Sequence, residues 1–87
     1  MSDITADQLA WEKQYQWAVT WTPEGEVEIM KSFADAWALS QPYPDDNIPW
    51  TYTRKADIRA RFHAGETRVR VAWVEGDEGT AVWIERF

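Results

Sequence analysis

Residues 15 to 30, YQWAVTWTPEGEVEIM, decide the fold because hydrophobic and polar residues alternate on both sides of a Pro-Glu-Gly turn. In the first half the large side chains fall at every second position, namely Tyr15, Trp17, Val19 and Trp21. Alternation with a period of two is typical of a β-strand that buries one face. The stretch therefore predicts an antiparallel β-hairpin with one face in the core.

The turn sets the register of this hairpin. A three-residue loop of Pro23, Glu24 and Gly25 combines the negative φ of proline with a glycine in the left-handed region. Such a loop places Trp21 opposite Val27, so that the apolar side chains of both strands share one face. The other face then carries polar residues, which are Thr20, Thr22, Glu26 and Glu28.

Helix-capping patterns stand on both sides of the hairpin. Thr5, with Gln8 three residues later, predicts a short helix at the N-terminus. Ser32, with Asp35 three residues later, predicts a second helix that ends near Ser40. The proline-rich segment that follows is predicted to be an ordered loop.

Residues 52 to 64 support two interpretations. Their alanines and arginines favour a helix that ends before Gly65. The alternation of their apolar side chains favours a strand. We favour the strand, in which residues 57 to 62 pair with residues 67 to 72 around a four-residue loop.

The end of the chain predicts another hairpin. Val69, Val71 and Trp73 alternate toward a loop at residues 76 to 79, and Trp73 is placed opposite Val82 on the returning strand. Together the elements predict an α+β fold with two antiparallel β-hairpins, a short helix between them and a further helix at the N-terminus.

Composition predicts one small domain spanning residues 1 to 87, with a tryptophan-rich core. The 87 residues include seven tryptophans and no cysteine, so disulfides are excluded. A tryptophan buries roughly 150 to 250 Å², and Trp17, Trp21 and Trp73 are the predicted core members. There is no apolar run of about 18 residues and no signal-peptide pattern at the N-terminus, so the cytoplasm is the expected location.

The charge is uneven along the chain. The formal charge is −6, which weighs against nucleic acid as a partner of the whole surface because phosphate binding depends on cations. Residues 1 to 50 hold nine acidic and two basic residues, whereas residues 51 to 87 hold six acidic and seven basic ones. The two halves are therefore expected to present surfaces of different charge.

The chemistry of the residue types speaks against an enzyme. Nucleophilic catalysis needs a nucleophile beside a base, and the single histidine, His63, is predicted to lie in a solvated turn without a serine nearby. Zinc sites need three or four suitable ligands, and calcium loops do not use contiguous acids such as Asp45 and Asp46. We expect no catalytic residue, no metal and no cofactor.

A candidate anion face follows from the strand interpretation of residues 52 to 64. Arg61 would lie opposite Arg68 and Arg59 opposite Arg70, with Trp83 on the same face. Like charges across a ladder are unfavourable, so this group of arginines needs a counter-ion. An internal carboxylate, with Glu85 opposite Arg70, is the favoured explanation, and an external anion stays open.

A second candidate surface is acidic and aromatic. Carboxylates can accept hydrogen bonds from the arginines that grip a nucleic-acid backbone, and exposed tryptophans mark interaction surfaces. The candidate partner-binding residues are Glu24, Glu26, Glu28, Asp45, Asp46 and Trp50.

The run YQWAVTWTPEGEVEIMKSFADAWALSQ, residues 15 to 41, resembles small orphan proteins encoded by bacteriophages of high-GC hosts. The shared features are a tryptophan-bearing strand, the Pro-Glu-Gly turn, an acidic strand and a short helix. The resemblance implies a protein that binds one host factor, and acidic proteins of this kind include anti-CRISPR and anti-restriction inhibitors. It carries over no functional residue.

We therefore predict a non-catalytic protein-binding domain, an inhibitor or modulator of a host protein that handles nucleic acid. One alternative is direct binding of nucleic acid or another polyanion by the arginine face. The other is a structural role in a virion or complex.

Overall fold

A computed structural model describes residues 5–23, 25–41 and 49–87. The described strands form one sheet in the order β2-β1-β5-β4-β3, with each neighbouring pair antiparallel. This arrangement confirms the α+β class and the two hairpins, β1–β2 and β4–β5. The elements are α1 (Ala6–Glu12), β1 (Trp17–Thr22), β2 (Glu26–Met30), α2 (Phe33–Leu39), β3 (Trp50–Tyr52), α3 (Lys55–His63), β4 (Arg68–Val74) and β5 (Asp77–Arg86).

Both predicted helix caps are confirmed. The Thr5 hydroxyl accepts a hydrogen bond from the Gln8 backbone N–H at 3.1 Å, and the Gln8 side chain accepts one from the Thr5 backbone N–H at 2.9 Å. The Ser32 hydroxyl accepts from the Asp35 backbone N–H at 3.1 Å. These bonds use backbone donors that have no partner within the helix, which fixes where α1 and α2 begin.

The strand favoured for residues 52 to 64 is wrong beyond Tyr52, because Lys55–His63 forms the helix α3. Ile58 and Phe62, four residues apart, are both fully buried on one side of this helix. The helix is followed by Gly65 at φ 111°, in the region that glycine tolerates. Burial of one helical stripe therefore outweighed the alternation, in which two of the five residues were alanines.

The core lies between the sheet and the helices α2 and α3. Trp17 is fully buried and meets Phe33 of α2 and Phe62 of α3 edge-on, with ring centroids 5.4 and 5.0 Å away. Its indole N–H donates to the Glu12 carbonyl at 3.1 Å, which ties α1 to the same side of the sheet. The other buried members of the core are Val19, Ala36, Ile58, Val69, Val71, Ala72, Val82 and Ile84.

The register predicted for the first hairpin is wrong by one position. Trp21 lies opposite Glu26, and Thr20 lies opposite Val27. The Gly25 backbone N–H donates to the Trp21 carbonyl at 2.7 Å, and Gly25 has the expected positive φ of 77°. Because β2 is an edge strand, its apolar residues need not enter the core, and the apolar pattern did not fix the register.

A bulge in β4 changes the predicted second hairpin. The register with β5 shifts between Arg70 and Ala72, so that Val71 and Ala72 are both buried in the core. Trp73 lies opposite Ala81 rather than Val82, and it turns to the same face as Arg70. An extra residue in one strand of an antiparallel pair redirects the side chains beyond it, which is why Trp73 is not a core residue.

Candidate functional site: the open face of the sheet

The three helices lie on one face of the sheet, and none of the described elements covers the other. We call this second face the open face. The register of the first hairpin places Val27 and Ile29 on it, where they are 55% and 50% exposed. The other open-face side chains follow from the registers of β1, β4 and β5, and they are Thr20, Arg68, Arg70, Trp73, Trp83 and Glu85.

Two arginines of β4 stack on tryptophans of the open face. The guanidinium carbon of Arg68 lies 4.0 Å from the ring centroid of Trp83, and that of Arg70 lies 4.1 Å from the ring centroid of Trp73. The negative face of an indole attracts a cation, and a planar guanidinium keeps its in-plane N–H donors free while it stacks. Each pair therefore holds a set of hydrogen-bond donors in a defined orientation.

Neighbouring groups fix the Arg70–Trp73 pair. The Trp73 indole N–H donates to a Glu75 carboxylate oxygen at 3.0 Å. The Thr53 hydroxyl donates to the Arg70 carbonyl at 2.9 Å, which anchors the backbone that carries the guanidinium. The orientation of this pair therefore depends on Glu75, which follows β4, and on Thr53, which follows β3.

A depression of about 270 Å³ opens between these stacks. Three arginines and two tryptophans line it together with a threonine: Thr53, Arg61, Arg68, Arg70, Trp73 and Trp83. We call it the arginine depression. Within residues 5–23, 25–41 and 49–87, neither Arg68 nor Arg70 forms an ion pair, so the depression concentrates positive charge in an acidic protein.

Arg61 reaches this depression from α3 rather than from a strand. Its Nε and Nη2 donate to the two carboxylate oxygens of Glu66 at 2.9 and 3.1 Å. These hydrogen bonds and the charge of Glu66 raise the pKa of Arg61 above its ordinary value, and the guanidinium stays protonated. Arg61 therefore brings a positive charge that Glu66 partly balances.

A second depression of about 560 Å³ adjoins the first. The two share Arg70 and Trp73. The rest of the second lining comes from the end of β4, the turn after it and the start of β5: Val74, Glu75, Gly76, Asp77 and Glu78. We call it the acidic depression. The open face therefore presents opposite charges side by side, with one arginine–tryptophan pair at the boundary.

The structure separates Arg59 from the other predicted anion-face residues. Arg59 lies in α3 and forms a salt bridge with Glu12 of α1, Nε to Oε2, at 2.8 Å. The predicted pairing of Arg59 with Arg70 and of Arg61 with Arg68 is wrong, because α3 is a helix. Glu85 lies opposite Arg68 instead of Arg70.

The structure describes three of the six residues of the predicted acidic and aromatic surface. Glu26 and Glu28 lie exposed on the edge strand β2, on the side of the sheet that the helices occupy. Trp50 lies in β3, half-buried against the core. The other three predicted members lie outside the described residues, and these are Glu24, Asp45 and Asp46.

The sequence analysis missed two features. Trp73 was assigned to the core, since only the bulge reveals its place on the open face. His63 was assigned to a solvated turn, yet its Nε2 lies 2.8 Å from Glu12 Oε2 and its ring lies 4.4 Å from that of Trp11. The spacing of Arg59 and His63, four residues apart on one helical side, was a signal for a shared partner.

Two further observations limit the chemistry of the described part of the chain. It holds no group of three or more metal-ligating side chains placed to bind an ion. None of its helices is long and apolar enough to cross a membrane.

Comparison with known proteins gave no match to a family model, to a curated protein or to a solved structure.

Proposed function

We propose that this chain is a non-catalytic protein-binding domain that engages its partner through the open face of the sheet. One observation carries the proposal: all three described helices pack on one face, while the opposite face displays arginine–tryptophan stacks beside exposed Val27 and Ile29. Exposed apolar side chains that share one face with aromatic residues and are rimmed by polar ones form the kind of patch that marks an interaction surface.

The residue types of the open face support a protein as the partner. Tryptophan and arginine are the residues most enriched where binding energy concentrates in protein interfaces. Trp73 and Trp83 are half-buried and rigidified by their arginines, so less side-chain entropy is lost on binding. Val27 and Ile29 extend the same face with apolar area at its other edge.

The class of partner rests on the resemblance of residues 15 to 41 to phage proteins. We propose an inhibitor or modulator of a host protein that handles nucleic acid, acting in the host cytoplasm. The acidic residues of β2 supply a second contact surface, because Glu26 and Glu28 stand exposed on an edge strand. Their carboxylates can accept hydrogen bonds from arginines that otherwise grip phosphates.

The second candidate function is direct binding of single-stranded nucleic acid. Tryptophans on an open sheet face are platforms for stacking bases, and arginines beside them contact the backbone. The formal charge of −6 opposes this function because phosphate affinity grows with the number of cations in contact. Protein binding is therefore the better-supported proposal.

Site-specific photo-crosslinking tests the proposal. A benzophenone amino acid replaces Ile29 or Glu85 on the open face, or Ala38 on the exposed side of α2 as the matched control. In a lysate of the native cells, positions 29 and 85 should give the same discrete protein adduct and position 38 none. Adducts from position 38 alone, or equal adducts from all three positions, would contradict the proposal.

A binding assay with labelled single-stranded DNA separates the second candidate. Affinity that falls steeply between about 50 and about 200 mM salt is the signature of phosphate contacts. Such binding, abolished by Trp83→Ala, would replace the protein proposal with the nucleic-acid one.

A further inference from the structure

We infer that the arginine depression receives a carboxylate side chain from a mixed-charge segment of the partner protein. The inference rests on the proposed function and names the chemistry of the segment. Arg68 and Arg70 converge on this depression, and Arg61 stands at it with Glu66 as its partner. A guanidinium binds a carboxylate with two parallel hydrogen bonds, which sets both the strength and the geometry of the contact.

Glu85 makes no ion pair with the arginines of the arginine depression. It lies directly opposite Arg68 in the ladder, yet the Arg68 guanidinium is stacked on Trp83, and the two side chains form no ion pair. Stacking holds the donors of Arg68 and Arg70 toward the depression before any ligand arrives. A carboxylate that enters meets an oriented set of donors, so little side-chain ordering remains to be done on binding.

The acidic depression disfavours a continuous polyanion. Glu75, Asp77 and Glu78 line it, and it begins where the arginine depression ends, at Arg70 and Trp73. A nucleic-acid strand carries a phosphate at every nucleotide, so the strand that places one phosphate at the arginines brings the next one toward these carboxylates. A protein segment can instead place an acidic side chain in one depression and a basic side chain in the other.

The spacing of such a segment follows from extended geometry. In an extended segment, side chains two residues apart point the same way and lie about 7 Å from each other. A glutamate and a lysine at positions i and i+2 therefore reach adjoining depressions from one side of the segment. The shared Arg70–Trp73 pair then contacts the backbone of the residue between the glutamate and the lysine.

The test uses an eight-residue peptide, Glu-Ser-Lys-Ser repeated twice, and its counterpart with glutamine in place of glutamate. Binding is followed through the NMR signals of the Arg68 and Arg70 Nε–H groups and of the Trp73 and Trp83 indole N–H groups. The glutamate peptide should shift these signals at millimolar concentration. Its binding should weaken as the salt concentration rises. The glutamine peptide should bind about tenfold more weakly or not at all.

Matched variants locate the contact. The double substitution Arg68→Gln and Arg70→Gln should weaken binding of the glutamate peptide at least about tenfold. Lys13→Gln with Arg54→Gln removes the same charge away from the open face and should change affinity little. Arg70→Lys keeps the charge but loses the paired donors, so an intermediate affinity is expected.

Three outcomes would overturn the inference: no signal shifts with the glutamate peptide, equal binding of the glutamine peptide, or tighter binding of an eight-nucleotide oligothymidylate to the same residues. The folded state of each variant is checked by its NMR spectrum, and Arg70→Lys keeps the test decisive if the double variant unfolds. If crosslinking from positions 29 and 85 succeeds while the peptide fails, the proposed function stands and only the carboxylate contact is rejected.

Discussion

The carboxylate of Glu12 in α1 is held by Arg59 in α3, whose Nε and Nη2 lie 2.8 and 3.2 Å from its two oxygens. The same carboxylate lies 2.8 Å from His63 Nε2. The side chains of Glu12 and Arg59 are 5% and 19% exposed, so water screens this pair only weakly. The contact joins a seven-residue helix, too short to be stable alone, to the rest of the domain.

Glu12→Gln should destabilise the domain by about 3 kcal/mol, because it leaves the largely buried Arg59 without its carboxylate. Urea denaturation at neutral pH measures the loss. Glu66→Gln is the matched control, since Glu66 binds Arg61 through the same pair of hydrogen bonds but in an exposed position, where ion pairs contribute little. Similar losses in the two variants would show that burial of the Glu12 contact is unimportant.

Gly25→Val should destabilise the domain by about 1 to 2 kcal/mol. Gly25 has φ 77°, and an added Cβ would meet nothing within 4 Å, so the cost comes from the backbone alone. A β-branched residue is strained at positive φ. Gly79→Ala is the control, because Gly79 does not have a positive φ and its added Cβ would make only an ordinary contact of 3.6 Å with Asp77.

If both glycine variants unfold at the same denaturant concentration as the parent, the turn does not restrict the first hairpin as described. Equal destabilisation of both would point to lost flexibility in general rather than to the positive φ of Gly25.

Trp73→Ala should lower stability by about 1 to 2 kcal/mol, through loss of the cation–π contact and of a partly buried ring. Trp17→Ala should cost about 3 to 5 kcal/mol, since Trp17 is fully buried and packs on two phenylalanines. Thermal melts of the two variants give the comparison. If Trp73→Ala lost more stability than Trp17→Ala, Trp73 would have to be a core residue, which would contradict its position on the open face.

Local patterns in the sequence were sufficient for the caps and for the existence of the two hairpins, but not for the register of either hairpin. Thr5 and Ser32 accept hydrogen bonds from backbone N–H groups three residues away. Their effect can therefore be predicted without the tertiary structure. The alternation around Trp17 likewise reports one strand with one buried face. These features need only the residues next to them in the chain.

The sequence left α3 and the bulge undetermined for a physical reason. Ile58 and Phe62 are four residues apart, a spacing that fits one face of a strand and one face of a helix equally well. The bulge at Val71 and Ala72 depends on how β4 meets both β5 and α3, which no local pattern records. Without the bulge, Trp73 is counted with the core.

For the candidate site, the sequence therefore predicted most of the residues correctly but not how they are arranged. Arg61, Arg68, Arg70 and Trp83 were grouped on one face, and they do line one depression. The reason for their proximity was wrong, because Arg61 arrives from a helix. Arg59 could not be separated from this group until its partner in α1 was known.

Arg61 and Arg68 line one depression. They have different intramolecular partners, which are Glu66 for Arg61 and Trp83 for Arg68. Replacing each with serine, alone and together, gives a double-mutant cycle for both stability and peptide binding. Because the two side chains share no partner within the described structure, their effects on stability should add, as is usual for independent sites.

Their effects on binding should not add, since both guanidinium groups line the depression that receives the carboxylate of the Glu-Ser-Lys-Ser peptide. Removing one arginine leaves the other to hold the carboxylate alone in a less favourable position, so the second removal should cost less than the first. A large coupling in stability would indicate that the two arginines repel each other in the free protein. Additive losses in binding would mean that they contact different groups of the ligand, and the single-carboxylate geometry would then be wrong.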